Sequence, residues 1–294
     1  MNFILQVLNG LQIGSIYALT ALGYTMVYGI AKLINFAHGD ILMIGAYVSF
    51  FSIPFVKSLG LPIWTTVFIA IIVSALLGML IERIAYRPLR NSPKIANLIT
   101  AIGVSLLLQN LVMKFIGTHS IPFPRVFELK SIRIASLQVN ASIIITITVT
   151  LLLTILLQLF MKYTKNGTAM QATSEDIGAA SLVGINTNRS ISLTFAIGSA
   201  LAAVASLLYV ASYPQINPSI GMMLGIKAFI AAVIGGVGHI PGAVLGGFIL
   251  GMAEALTKAY ISTELGDAIV FGILILVLLF KPEGILGKEV KEKV

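Results

Sequence analysis

The chain has 294 residues, of which 57% are hydrophobic and only 10% charged. Soluble domains carry about 25% charged residues, so the composition excludes a water-soluble globular protein and points to the membrane. The formal charge of +8 is distributed as membrane topology requires, so no nucleic-acid partner is expected. With no cysteine, disulfides and cysteine-ligated metals are excluded.

A spanning helix needs about 20 mostly apolar residues. In chain order such runs cover 3–30, 37–56, 62–84, 95–117, 140–161, 190–212 and 223–240. The following block, 242–280, is long enough for two more, at 242–260 and 266–280. The first basic residue is Lys32. The first run therefore lacks the basic start of a cleavable signal and is expected to stay in the mature protein.

The reading is an all-α integral membrane protein, one transmembrane domain over 1–294, with eight or nine transmembrane helices. Between the runs lie an external loop at 118–139, a cytoplasmic loop at 162–189 and a basic tail at 281–294. Pro122, Pro124, Arg125, Glu128, Lys130 and Arg133 make 118–139 an ordered loop or short strand. It is either a docking surface for an external partner or a plain connector.

Basic residues fix the orientation. With 162–189 inside, the inner stretches hold Lys32, Arg83, Arg87, Arg90, Lys94, Lys162, Lys165, Arg189, Lys281, Lys288, Lys291 and Lys293, which is 12 of 19 basic residues. Outside fall 6: Lys57, Lys114, Arg125, Lys130, Arg133 and Lys258. This bias places the N-terminus outside and the C-terminus in the cytoplasm, which requires nine spans. Eight would need 37–56 or 223–240 to be re-entrant, or an internal N-terminus.

Small residues recur at helical spacing: Gly10, Gly14 and Ala18; Gly198 and Ala202; Gly247, Gly251 and Ala255. Such stripes let helix backbones approach closely in lipid.

The chain also contains an internal repeat. Residues 34–47 and 216–229 match at an offset of 182, with Ile, Asn, Gly, Leu, Ile and Ala coinciding at six of fourteen places. Five spans separate the copies, so the repeat is inverted, a common plan among transporters. Asn35 and Asn217 each precede a helix start, where Asn caps free N–H groups. Two such partly positive starts, with His38, Gly39, Asp40 and Gly221 beside them, are candidates to line a translocation path for an anionic or zwitterionic solute. Plain helix capping is the alternative.

In the loop 162–189, Ser174 is read as an N-cap, with Glu175 and Asp176 in the first helical turn. Ala179, Ala180, Leu182 and Val183 continue the helix, and Gly184 ends it before Ile185. The expectation is a helix of about nine residues, serving either as a connector or as a knob for a partner's groove. Ala179-Ala180-x-x-x-Gly184 resembles the cytoplasmic "EAA" signature of bacterial ABC importer permeases, which docks on the ATPase subunit. Gly178 stands where that signature has Glu, and Thr194 stands where Pro is usual.

Charged residues inside spans are Glu82, Lys227, Glu254 and Asp267, with Asp40 near an interface. Such groups face protein or water, and Lys227 with Glu254 is the expected intramembrane charge pair. No phosphate-binding G-x-x-x-x-G-K-[ST] motif occurs, so nucleotide hydrolysis must come from elsewhere. His38, His119 and His239 are isolated, and neither a metal site nor a catalytic residue is expected.

Four blocks resemble the branched-chain amino-acid ABC-transporter permeases. They are Asn9-Gly10-Leu11-Gln12-x-Gly14-Ser15-x-Tyr17-Ala18-Leu19, Leu33 to Asp40, Ser181-Leu182-Val183-Gly184-Ile185-Asn186, and Gly235-Gly236-Val237-Gly238-x-Ile240-Pro241-Gly242-Ala243-x-x-Gly246. The resemblance implies a permease domain in the cytoplasmic (inner) membrane of a bacterium or archaeon. It implies a second homologous permease, two ATPase subunits that bind ATP and Mg, and an extracytoplasmic binding protein. It implies leucine, isoleucine or valine as cargo, with urea or short amides as the alternative in related permeases. An ion-coupled secondary transporter is the competing class; it wants paired deep acids, and only Glu254 and Asp267 come close.

Overall fold

In lipid the backbone must satisfy its own hydrogen bonds, so each apolar run becomes a helix. The computed structural model describes residues 2–90, 92–127, 132–134 and 137–287. Glu128 and Lys130, and the tail lysines Lys288, Lys291 and Lys293, lie outside the described residues.

The spans are α1 (Asn2–Ala31), α2 (His38–Ser58), α3 (Thr66–Ile81), α4 (Lys94–Phe115) and α5 (Ala141–Tyr163). Two short helices follow, α6 (Lys165–Glu175) and α7 (Ile177–Leu182). The chain then returns through α8 (Thr187–Ser212), α9 (Ile220–Gly235), α10 (Ile240–Tyr260) and α11 (Leu265–Phe280). Seven helices are long and apolar enough to cross a membrane, α3 counting with its flanking turns as Ile63–Leu89; α9 and α11 are shorter apolar helices. Two antiparallel strand pairs complete the fold. β1 (Ile121–Pro122) pairs with β4 (Gln215–Ile216), and β2 (Ile132–Ile134) with β3 (Leu137–Val139).

The helix ends sort into two sets. At one end Gly238 lies against Gly29, the Arg90 guanidinium donates to Asn188, and Ile285 N–H donates to the Ile234 carbonyl at 2.8 Å. This is the end that carries α6 and α7. At the other end β1 pairs with β4, and Gln12 Nε2 bridges Ser142 and Ser212. Among the described residues, nine helices alternate between these ends. The run expected at 223–240 is a helix over 220–235 instead. Gly236 and Gly238, at φ +103° and +92°, turn the chain out of α9. His239 then caps α10, its Nδ1 accepting from Gly242 N–H at 3.3 Å.

The small-residue stripes face one another. A methyl added at Gly14 would lie 2.8 Å from the Gly247 carbonyl oxygen, and one at Gly247 2.6 Å from Ala18 N. The stripes of α1 and α10 are thus two sides of one seam, and its closeness is possible only without side chains.

Packing also follows a two-fold scheme. α1 packs on α10 as α8 packs on α3, α1 on α9 as α8 on α2, and α2 on α3 as α9 on α10. Exchanging α1–α4 with α8–α11 leaves these partnerships unchanged, with α5 between the halves.

Candidate functional site

The two copies of the repeat meet at their helix starts. α2 begins well inside the molecule: Gly23 packs against the His38 ring, and Gly23 stands about 12 Å along α1 from its end. α9, at 16 residues, is about 24 Å long, short of a hydrocarbon core of about 30 Å. Gly221, at the start of α9, packs on Gly39 at the start of α2, so both starts are recessed. Gly39 and Gly221, equivalent residues of the repeat, touch reciprocally: a methyl on either would strike the other's carbonyl oxygen. The two starts close on each other and do not line an open path.

The Asn caps expected here are not formed. The N-cap of α2 is Ala37, without a side-chain bond. Asn35 lies farther back because the chain makes a backbone turn, His38 N–H donating to the Asn35 carbonyl at 3.1 Å. The Asn35 side chain instead accepts from the Tyr86 hydroxyl at 2.9 Å. Asn217 Oδ1 accepts from Ser219 N–H at 3.0 Å, a turn that precedes α9 and does not cap it. His38 is buried edge-on to Tyr24, with ring centroids 4.8 Å apart. Asp40 is buried and accepts from Gln109 of α4 at 2.9 Å. Phe36 and Phe229 cover the junction, 5.7 Å apart.

Beside the α9 start lies a cavity of about 320 Å³ between α1, α8, α9 and α10. Lys227 and Glu254 stand in its wall, with Nζ 2.7 Å from Oε1. The same Lys227 ammonium is 2.7 Å from Asp267 of α11. Glu254 also accepts from Lys258 at 2.5 Å and from the Tyr17 hydroxyl at 2.6 Å. Two cations and two carboxylates thus sum to zero charge. Neutral, hydrogen-bonded clustering is what makes ionised groups tolerable within a span.

At the opposite end the 162–189 loop forms two helices where the sequence predicts one. Thr164 caps α6, its hydroxyl accepting from Gly167 N–H at 3.0 Å. Helix-favouring Ala, Met and Gln then carry α6 on to Glu175. Ser174 is therefore inside α6, its hydroxyl donating to the Gln171 carbonyl, and Glu175 is the last residue of that helix. Asp176, with an extended backbone, is the true N-cap of α7, accepting from Ala179 N–H at 2.9 Å. α7 has six residues, not nine. Ala180 is buried and Ala179 exposed. Gly184 ends the helix at φ +85°, with Ile185 N–H donating to the Ala180 carbonyl at 3.0 Å. Leu182 is 90% exposed and Val183 76%.

Residues 6–278 match the family model described as branched-chain amino acid transport system, permease component. The chain belongs to this family. It is 50% identical over 303 residues to the high-affinity branched-chain amino acid transport system permease protein LivH of Salmonella typhimurium, covering 100% of this chain and 98% of that one. It is 46% identical over 305 residues to the corresponding permease protein BraD of Pseudomonas aeruginosa, with the same coverage. The permease is a multi-pass membrane protein.

Several permease residues in these sites escape a reading of sequence. Tyr17 reaches Glu254 across a separation of 237 residues, and nothing local announces it. Lys258 counts among the external charges by topology, yet it joins the cluster; its i,i+4 spacing from Glu254 is the usable signal. Glu82 is fully buried and bonded to Arg90 and to the Ser192 hydroxyl. It opens a π-helical turn, Glu82–Tyr86, that joins α3 to Asn35 through Tyr86. Such turns concentrate at functional sites.

Proposed function

We propose that the permease is the transmembrane subunit of an ATP-binding cassette importer carrying leucine, isoleucine and valine across the cytoplasmic (inner) membrane of a bacterium or archaeon. Full-length relatives near 50% identity, named for branched-chain amino acid transport, support this cargo. The observation that carries the mechanism is the apolar tip of α7, Leu182 and Val183, standing exposed on a polar loop. In this reading α7 is the knob that fits an ATPase groove, so α6, α7 and the C-terminus are cytoplasmic. The end with β1 and β4 faces the extracytoplasmic binding protein.

ATP and Mg belong to two ATPase subunits, and a second homologous permease completes the passage. This chain binds no cofactor of its own and performs no bond chemistry. Motion of α7 passes through α8, whose Asn188 and Ser192 hold Arg90 and Glu82. From there it reaches the π-helical turn and, through Tyr86 and Asn35, the start of α2. Parting of the Gly39–Gly221 junction opens the path.

The test is reconstitution with the partner proteins in vesicles. Labelled leucine uptake that requires ATP on the ATPase side and persists when ion gradients are collapsed supports the proposal. Uptake driven by an ion gradient without ATP refutes it. Leu182→Asp is expected to lose the ATPase subunits on copurification while the permease stays folded.

A further inference from the structure

The cavity of about 320 Å³ sits at the small end of ligand cavities, which run from about 300 to 1,000 Å³. Its lining divides along the helices. Ile13 and Ile16 of α1 and Ile220, Met223 and Leu224 of α9 are apolar. One turn farther along the same helices stand Tyr17 and Lys227, joined by Glu254 and Lys258 of α10 and by Tyr209 and Tyr213. The floor at Ile220 and Leu224 adjoins Gly221 and Gly225, which pack on Gly39 at the junction.

Charged groups within a span face protein or a water-filled cavity, and this cluster faces a cavity that also carries an apolar surface. Here Lys227 is shared between Glu254 and Asp267, and Glu254 between Lys227 and Lys258. Asp267 and Lys258 are partly exposed, with side-chain accessibilities of 44% and 38%. Each carboxylate and each ammonium at the edge can therefore change partner without any charge being left alone.

A zwitterion is the guest that fits such a cluster, because it brings one charge of each sign and leaves the sum at zero. Resting on the importer reading above, we infer that the Lys227–Glu254–Asp267–Lys258 cluster is a transient docking site for the ammonium and carboxylate of an aliphatic α-amino acid. The carboxylate takes Lys258, freed from Glu254. The ammonium takes the place of Lys258 on Glu254 Oε1, an oxygen that keeps its contact with Lys227. The branched side chain lies on the Ile220–Met223–Leu224 wall, above the closed junction. A solute with only one of the two charges would leave an ion of the cluster unpaired, which is costly in a span.

The purified transporter, without its binding protein, is titrated with leucine, with leucinol, which lacks the carboxylate, and with 4-methylpentanoate, which lacks the ammonium. Leucine is expected to bind at least about tenfold more tightly than either analogue, a difference of about 1.4 kcal/mol. Lys258→Gln is expected to remove the preference for leucine over leucinol while the complex still copurifies. Met223→Trp, which fills the cavity and leaves every charge in place, is expected to abolish binding of all three. Equal binding of the three compounds, or no change on either substitution, overturns the inference. ATP-driven leucine uptake by the unchanged complex, measured after reconstitution in vesicles together with its binding protein, separates the two claims: present uptake with failed discrimination removes this site alone, whereas absent uptake removes the importer reading.

Discussion

Gly251→Ala tests the α1–α10 seam. A methyl at Gly251 falls on the Gly14 backbone N and Cα, and lies 2.7 Å from the Gly10 carbonyl oxygen. Comfortable carbon contacts lie at about 3.5–4.0 Å, and backbone atoms cannot rotate away. The helices must separate by about 1 Å along the Gly10–Gly14–Ala18 stripe to restore such contacts. Overpacking of this kind costs about 1–3 kcal/mol, and contact with rigid backbone puts it near the upper limit. Replacing Gly by Ala returns about 1 kcal/mol of helix propensity, for a net loss of about 2 kcal/mol. Gly103 of α4 is the control: no heavy atom among the described residues lies within 4 Å of its Cβ position. There the same substitution keeps only the gain of about 1 kcal/mol. Reversible denaturation of the purified permease in mixed micelles should therefore separate the two variants by about 3 kcal/mol, with opposite signs. If both stabilise equally, the close seam is not real.

Arg90→Leu strands the buried Glu82 carboxylate and should cost about 3–5 kcal/mol, read by the same denaturation; adding Glu82→Met should restore most of it. Asp176→Ala removes the α7 cap and should cost that helix about 1 kcal/mol, lowering transport-coupled ATP hydrolysis of the assembled complex more than it lowers permease stability. Gly39→Ala and Gly221→Ala meet reciprocal clashes with backbone, so each should lose about 1–3 kcal/mol of stability, by comparable amounts. A large inequality between them would contradict the two-fold junction.

Much of the architecture is legible in the sequence because the membrane leaves few choices. Apolar runs of spanning length become helices within a few residues of their expected bounds, and Gly10, Gly14, Gly247 and Gly251 announce a seam by spacing alone. The repeat at 34–47 and 216–229 locates the recessed starts. The depth of those starts is hidden, because recession depends on how His38 packs into the gap at Gly23. α6 is hidden because its residues carry no apolar periodicity and Asn166-Gly167, inside it, reads as a turn. The α7 cap falls two residues later than expected because Ser174 and Asp176 are both good caps, and only the path of α6 decides between them. The four-charge cluster is half visible: Lys227 and Glu254 stand out within apolar runs, whereas Tyr17 and Lys258 join them only through tertiary packing.

In the proposed mechanism solute passes where the starts of α2 and α9 meet, and these part for transport. The chain has no cysteine, so Phe36→Cys with Phe229→Cys provides its only thiols, at side chains whose rings are 5.7 Å apart. In the reconstituted transporter, a short cleavable thiol crosslinker between them should stop ATP-driven leucine uptake, and reductant should restore it. Undiminished uptake by the fully crosslinked protein would place the path elsewhere.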